Sequence, residues 1–457
     1  MKALEFYERA LKGKRVEEQE FDIHILPNKL KELIRKYEIA YNPEEVVPQD
    51  LDMARRCFDA AVELITEIGV YCYDTKSIIP IGEEDVRSAL SEAPSSHVIG
   101  EGSESAGISS RGIGDKRKPL LIGGPSGAPL SEENCTDILT SYANEPIDGL
   151  HTGSIQTLFG QPVKANTPLE FVTCQYEALW AREAVRRAGK PGLSLLGIMS
   201  GVTSEAQNAG DFPGGLRPSD IHIVAFSNEL KVNWQDLKKI AHNHNRGNII
   251  EAASLPMLGG YCGGPEGTAI TYIAEAIQGF VMARPMAFAG VALSLRFGAS
   301  HPQAIWTNCM LPLAFISSGE KVLLAYYLIA TAGPCTEMLC DEFAAQGIAM
   351  TASGYSYIYG GGGAEIAKMD YVTGMESRIT SEISRAAAGM SLSEANQIVK
   401  KLVGKYIDML KSGKAPRGKS FTECYKNGLT PSEEYLNLWQ KKKKELEKLG
   451  LVGLCKI

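Results

Sequence analysis

Apolar positions along the chain fall into two textures. Up to about residue 95 they recur at helical spacing: Leu30, Leu33 and Ile34 share one face of KLKELIRKYEIA, and Ala54, Phe58, Val62 and Ile65 form a longer stripe. From about residue 96 they become short apolar runs that end in Gly, Ser or Thr, each followed by a helix-like segment. Eight runs are predicted to be strands: 119–123, 147–153, 193–200, 221–227, 248–254, 286–293, 325–331 and 348–353. They do not alternate strictly with polar residues, as befits strands covered on both faces. Helix-like stretches between them include 168–187, 233–242 and 268–283. In the second of these, Asp236 and Lys239 are spaced to share a solvated face. Eight strand–helix repeats over roughly 250 residues match a closed barrel better than an open sheet. From Asp370 the chain reads as helical again and ends in KKKKELEKLG, expected to be a solvated helix face. The expected fold is therefore α/β: a (β/α)8 TIM barrel at 96–369, with an N-terminal helical extension at 1–95 and C-terminal helices at 370–457.

With 457 residues, 44% of them hydrophobic, the chain can bury a large core. A net charge of −7 argues against nucleic acid or an anionic membrane as the main partner. Ten cysteines are spread along the chain without a CxxC pair, which suits reduced thiols in a cytoplasmic protein. The opening segment MKALEFYERALKGKRVEEQEF reads as a charged helix rather than a leader. The longest apolar stretch, 304–332, is broken by Ser317, Ser318, Glu320 and Lys321, so it is not expected to cross a membrane.

Barrel chemistry belongs at the carboxyl ends of the strands and in the loops that follow. Three glycine-rich stretches stand there, GGPSGAP at 123–129, GGYCGGPEG at 259–267 and GYSYIYGGGGAE at 354–365. None carries a nucleotide-binding pattern in the right context. They suit a wide mouth, and the second brings Tyr261 to the rim. His242 and His244 in AHNHNRG fall on the opposite rim, where a solvated turn is the simpler reading; no metal site is expected.

Glu251, in NIIEAAS, is the most telling single residue, because a carboxylate inside a buried strand needs a partner. Alternation puts it on the same face as Ala253. It reads as an acid of raised pKa or a hydrogen-bonding anchor, or else as a structural pair with Arg296 or Lys321. On the seventh run Tyr327 and Ile329 share a face, and Glu337 opens the next helix near its positive end. On the fourth run Ile221 and Ile223 share a face and His222 takes the other, so His222 reads as a packing residue before a base.

The motifs GGPSGAPLSEEN, GKPGLSLLG, SNELKV, LPMLGGYCGG, TAGPCTEM, TASG and TGMESR…SEISRAAAGMSLSEAN occur in this order, followed by FTECYKNGLTPSEEY. Together, over roughly residues 40–450, they resemble the monomethylamine:corrinoid methyltransferase family. The resemblance implies a (β/α)8 barrel, a homo-oligomer, expected as a hexamer, and methyl transfer to Co(I) of a small corrinoid protein docked over the mouth. No tightly bound cofactor is implied; the corrinoid is the partner's. Methylamine members of the family carry pyrrolysine at the end of the third strand, where this chain reads LLGIMSG at 195–201. The family's strand-four glutamate falls at Ile223, its strand-five glutamate at Ala253, and its strand-seven glutamine and tyrosine at Tyr327 and Ile329.

These departures imply a pocket that has exchanged acids for apolar and aromatic surface. The leading expectation is a methoxylated aromatic donor, O-demethylated with Tyr327, Glu251 or Arg296 as catalytic residues stabilising the leaving oxygen. Met199, Ser200, His222, Ile223, Ala253, Tyr261, Ile329 and Glu337 are the candidate substrate contacts. One alternative is a methylated amine that needs no pyrrolysine, held by cation–π contacts from Tyr326, Tyr355, Tyr357 or Tyr359. The other is a catalytically inactive binding barrel.

Overall fold

A computed structural model describes residues 2–363, 368–426 and 429–456. Its centre is a closed barrel of eight parallel strands, each followed by a helix. In chain order these are β1 (Leu120–Gly123), α1 (Cys135–Ala143), β2 (Gly149–His151), α2 (Pro168–Arg187), β3 (Ser194–Leu196), α3 (Ser204–Asn208), β4 (Ile221–Ala225) and α4 (Trp234–Arg246). The second half comprises β5 (Ile249–Ser254), α5 (Pro265–Ala283), β6 (Ala287–Gly290), α6 (Pro302–Ser317), β7 (Leu324–Ile329), α7 (Glu337–Ser353), β8 (Tyr357–Gly362) and α8 (Gly374–Ala387). No described helix is long and apolar enough to cross a membrane.

Seven of the eight expected runs contain barrel strands. The eighth, 348–353, is instead the last part of α7, and the strand is Tyr357–Gly362. α7 is buried all round, with the barrel on one side and the helix Leu392–Lys411 on the other. Such a helix shows no polar stripe, so its sequence resembles a covered strand. The chain leaves α7 through Gly354, whose φ of +105° only glycine adopts readily. Residues 364–365 of the third glycine-rich stretch lie outside the described residues.

Helices flank the barrel at both ends of the sequence. Leu51–Ile68 lies across α5 and α6 and buries the predicted stripe residues Ala54, Phe58 and Ile65. Two expected solvated faces turn out to be anchored. Asp236 accepts the N–H of Asn233 in a capping box at the start of α4 and is buried with Lys239. In the C-terminal helix Glu433–Leu449, Lys442 reaches Asp341 at 2.9 Å, Lys443 pairs with Glu382, and the Trp439 indole donates to Glu382 at 2.8 Å. Lys442 and Lys443 therefore pin this helix to α7 and α8, while Lys441, Lys444 and Lys448 face water as expected.

Candidate functional site

Parallel pairing keeps partners on one face, so the strand registers identify the inward side chains. Ile223 pairs with Glu251 and Ala225 with Ala253; Tyr327 pairs with Tyr359, and Tyr359 with Ile122. The barrel interior therefore holds Ile223 on β4, Glu251 and Ala253 on β5, Ala287 and Ala289 on β6, Tyr327 and Ile329 on β7, and Tyr357 and Tyr359 on β8. The alanines of β5 and β6 leave room on one side, which the tyrosines of β7 and β8 fill from the other.

Glu251 is the centre of this layer and has no exposed surface. Its carboxylate accepts the Tyr327 hydroxyl at 3.1 Å, the Tyr359 hydroxyl at 2.5 Å and the Tyr357 hydroxyl. Burial pushes the carboxyl up to about 7, and the three phenols, which hydrogen-bond its charged form, pull against that. The anchor reading made from sequence is the right one, but tyrosines take the place of Arg296 and Lys321. Tyr327 and Tyr359 lie with ring centres 4.2 Å apart. His151, which ends β2, meets both edge-on, at 6.1 Å and 5.5 Å.

Above this layer the loop after β3 closes over the barrel. A Cβ on Gly197 would come within 2.8 Å of Ile223 Cδ1, and one on Gly127 within 2.9 Å of the Met199 methyl, so Met199 and Ile223 form one apolar wall. Two glutamates of α2, seven residues apart on one helix face, hold that loop. Glu177 accepts the N–H groups of Met199 and Ser200 at 2.8 and 2.9 Å, and Glu170 those of Val202 and Thr203 at 2.7 and 3.0 Å. Glu342 of α7 does the same for Thr331 and Ala332 after β7, and Glu275 of α5 for Glu229 after β4. Buried helix carboxylates thus fix the loops at the mouth, much as an oriented shell fixes a ligand set.

Several predicted contacts lie elsewhere. Arg296 is exposed on the rim beyond Ser294, against the Phe297 ring at 5.7 Å, and no contact joins it to Glu251 or Tyr327. Glu337 turns outward to Lys441 at 2.6 Å. His222 points out of the barrel, between the Arg217 carbonyl at 3.1 Å and Asn248 at 3.4 Å. Tyr261 is half exposed in a separate groove of 700 Å³ with Lys231 and Tyr73. Of the tyrosines proposed as an amine cage, Tyr326 donates to Gln346 and Tyr355 to the Asn308 carbonyl, outside the barrel; only Tyr357 and Tyr359 face in. Ser200 stands at the mouth, its hydroxyl oxygen accepting the Ile155 N–H at 2.9 Å. Sequence reasoning missed His151 and Glu177. The Glu170/Glu177 spacing was the legible signal for the second, while a lone histidine at the end of an apolar run offered little for the first.

The buried acids make stability depend on pH. Burial raises Glu177, Glu251 and Glu376 to about 7 and Glu275 to about 8, from an ordinary 4.5. Between these values the folded chain holds more protons than the unfolded one, so raising the pH through that window weakens the fold. Below 6.5 the buried histidines His151 and His301, both depressed to about 4, act in the opposite sense. Above 6.5 the four glutamates are the largest group moving in one direction. The thermal unfolding midpoint is therefore expected to fall by several degrees between pH 6.5 and 8.5, and Glu275→Gln is expected to flatten the upper part of that slope. A midpoint that rises across this window would contradict the assignment.

The comparisons with known proteins agree with this architecture over the whole chain. The family profile described as monomethylamine methyltransferase MtmB matches residues 1–451. Monomethylamine methyltransferase MtmB1 of Methanosarcina acetivorans is 35% identical over 450 residues, covering 98% of each chain, and MtmB of Methanosarcina mazei is also 35% identical at the same coverage. The crystal structure of Methanosarcina barkeri monomethylamine methyltransferase superposes with a TM-score of 0.95 at 33% identity, covering 98% of both chains. A chain that matches these enzymes over nearly its whole length, in sequence and in fold, belongs to the monomethylamine methyltransferase MtmB family and is a methyltransferase.

Proposed function

We propose that this methyltransferase takes its methyl group from a small methylated ammonium compound and passes it to the cobalt of a corrinoid protein. The observation that carries this reading is the lining of the barrel interior around Glu251. A buried carboxylate, pushed up to about 7, accepts the Tyr327 hydroxyl, and Ile223, Ala253 and Ile329 on the same inward face, with Met199 beside Ile223, supply apolar wall. A methylated ammonium matches both parts, through its charge over the tyrosine faces that the buried carboxylate backs and through its methyl groups on the wall. A protonated or quaternary amine also leaves as a neutral amine once its methyl is taken, so the site needs no group to stabilise a departing anion.

The aryl ether reading has lost its support. A leaving phenolate needs a donor or a cation, yet the Tyr327 hydroxyl is committed to Glu251 and Arg296 stands outside the barrel. The relatives, moreover, are named for monomethylamine.

The rim suits a partner carrying a corrin ring. Phe159, Val202, Tyr261 and Leu295, in the loops after β2, β3, β5 and β6, are 58%, 71%, 50% and 57% exposed, an apolar border that a monomer has little reason to keep. The cobalt would supply the nucleophile. This chain holds the donor over Glu251, keeps the methyl directed at the mouth through the pinned 197–203 loop, and excludes water from the chamber.

The test is spectrophotometric loss of Co(I) in a purified corrinoid protein, using the full chain with mono-, di-, tri- and tetramethylammonium and with methoxybenzoate. Turnover of at least one ammonium compound is expected. Turnover of methoxybenzoate alone, or of no donor, would overturn the reading.

A further inference from the structure

His151 faces the barrel interior and, among the described residues, is hydrogen-bonded through only one of its two ring nitrogens. It ends β2, pairs in register with Leu196 of β3, and is 1% exposed. Its Nδ1 lies 3.0 Å from the Thr152 carbonyl oxygen. A carbonyl can only accept, so Nδ1 carries the proton and Nε2 presents a bare lone pair. No described residue hydrogen-bonds Nε2. Burial depresses the imidazole to about 4, so at neutral pH the ring stays uncharged and Nε2 remains an acceptor. The ring lies edge-on against the stacked pair Tyr327 and Tyr359, two of the three tyrosines that bind Glu251. An acceptor with no protein partner that faces a binding site is free to take a donor from the ligand.

We propose that Nε2 of His151 accepts a hydrogen bond from an N–H of the methyl donor, so that the enzyme uses methylammonium compounds retaining at least one N–H and discriminates against fully methylated ones. The inference rests on the ammonium reading above and narrows it. His151 and Glu251 then divide the work: the carboxylate answers the charge, and the imidazole reads the hydrogen. A site that offers an acceptor to an N–H rejects an analogue placing a methyl there, because the acceptor stays unpaired and the methyl collides with it.

The experiment compares trimethylammonium with tetramethylammonium in the same Co(I) assay, on the wild-type chain and on His151→Phe, which keeps an aromatic ring against the two tyrosines. Wild type is expected to favour trimethylammonium by about 100-fold or more in kcat/KM. In His151→Phe this preference is expected to shrink at least about tenfold, mainly through a higher KM for trimethylammonium. Equal use of the two donors by wild type would overturn the proposal, as would an undiminished preference in a folded His151→Phe. Should that variant fail to fold, calorimetric binding of the two cations to wild type decides: tighter binding of trimethylammonium supports the proposal and equal binding overturns it. Ammonium turnover without regard to N–H content defeats this inference alone. Turnover of methoxybenzoate in place of every ammonium donor defeats the proposed function as well.

Discussion

Glu251→Leu is expected to destabilise the fold by about 3–5 kcal/mol and to abolish methyl transfer. The substitution keeps the volume but removes the acceptor for three buried phenols. Each orphaned hydroxyl costs on the order of 1–3 kcal/mol, and shared relaxation among the three keeps the sum below simple addition. Water cannot easily repair the loss, since Tyr357 and Tyr359 have no exposed surface. Activity falls with the fold because Tyr327 loses the bond that sets its ring over the chamber, and a cationic donor loses its counter-charge. Glu251→Gln retains one carbonyl acceptor and should fall between wild type and leucine. Chemical unfolding at pH 7 reads the first effect and the Co(I) assay the second. A leucine variant within about 1 kcal/mol of wild type would show that the tyrosines had found other acceptors.

The second large effect is expected at Glu177. Alanine there frees the N–H groups of Met199 and Ser200, the two residues that carry the loop over the mouth. The Glu251 layer itself is untouched, so the loss should appear as position rather than as unfolding: about 100-fold in kcat/KM, the scale associated with a displacement near 1 Å at a reacting centre. Glu170 still holds Val202 and Thr203, so the loop keeps its far end. Cleavage by a nonspecific protease within 197–203 should accelerate in Glu177→Ala and not in Glu251→Gln. Full activity in Glu177→Ala would mean that this loop plays no part in placing the methyl.

Most of the architecture was legible in the chain. Seven strands announced themselves as apolar runs ending in small residues, because a parallel strand covered on both faces leaves that mark whatever surrounds it. The ordered motifs from GGPSGAPLSEEN to FTECYKNGLTPSEEY were enough to identify the family, which the whole-chain matches bear out. The failures share one cause. The end of α7 read as a strand because its outer face is covered by another helix, and Lys442 and Lys443 read as solvated because their acids lie on α7 and α8. In both cases the deciding neighbour is far away in the sequence.

The same division holds for the site. Periodicity, turn residues and alternation are local, so the chain alone determined the strand–helix repeat, the burial of Glu251 and its shared face with Ala253. Which groups would satisfy that carboxylate was decided only when the sheet closed, since its partners lie 76, 106 and 108 residues away. Closure also left Arg296 outside and brought His151 in. A barrel interior is assembled from all eight strands at once, and no stretch of sequence short enough to show a period can record which side chains will meet there.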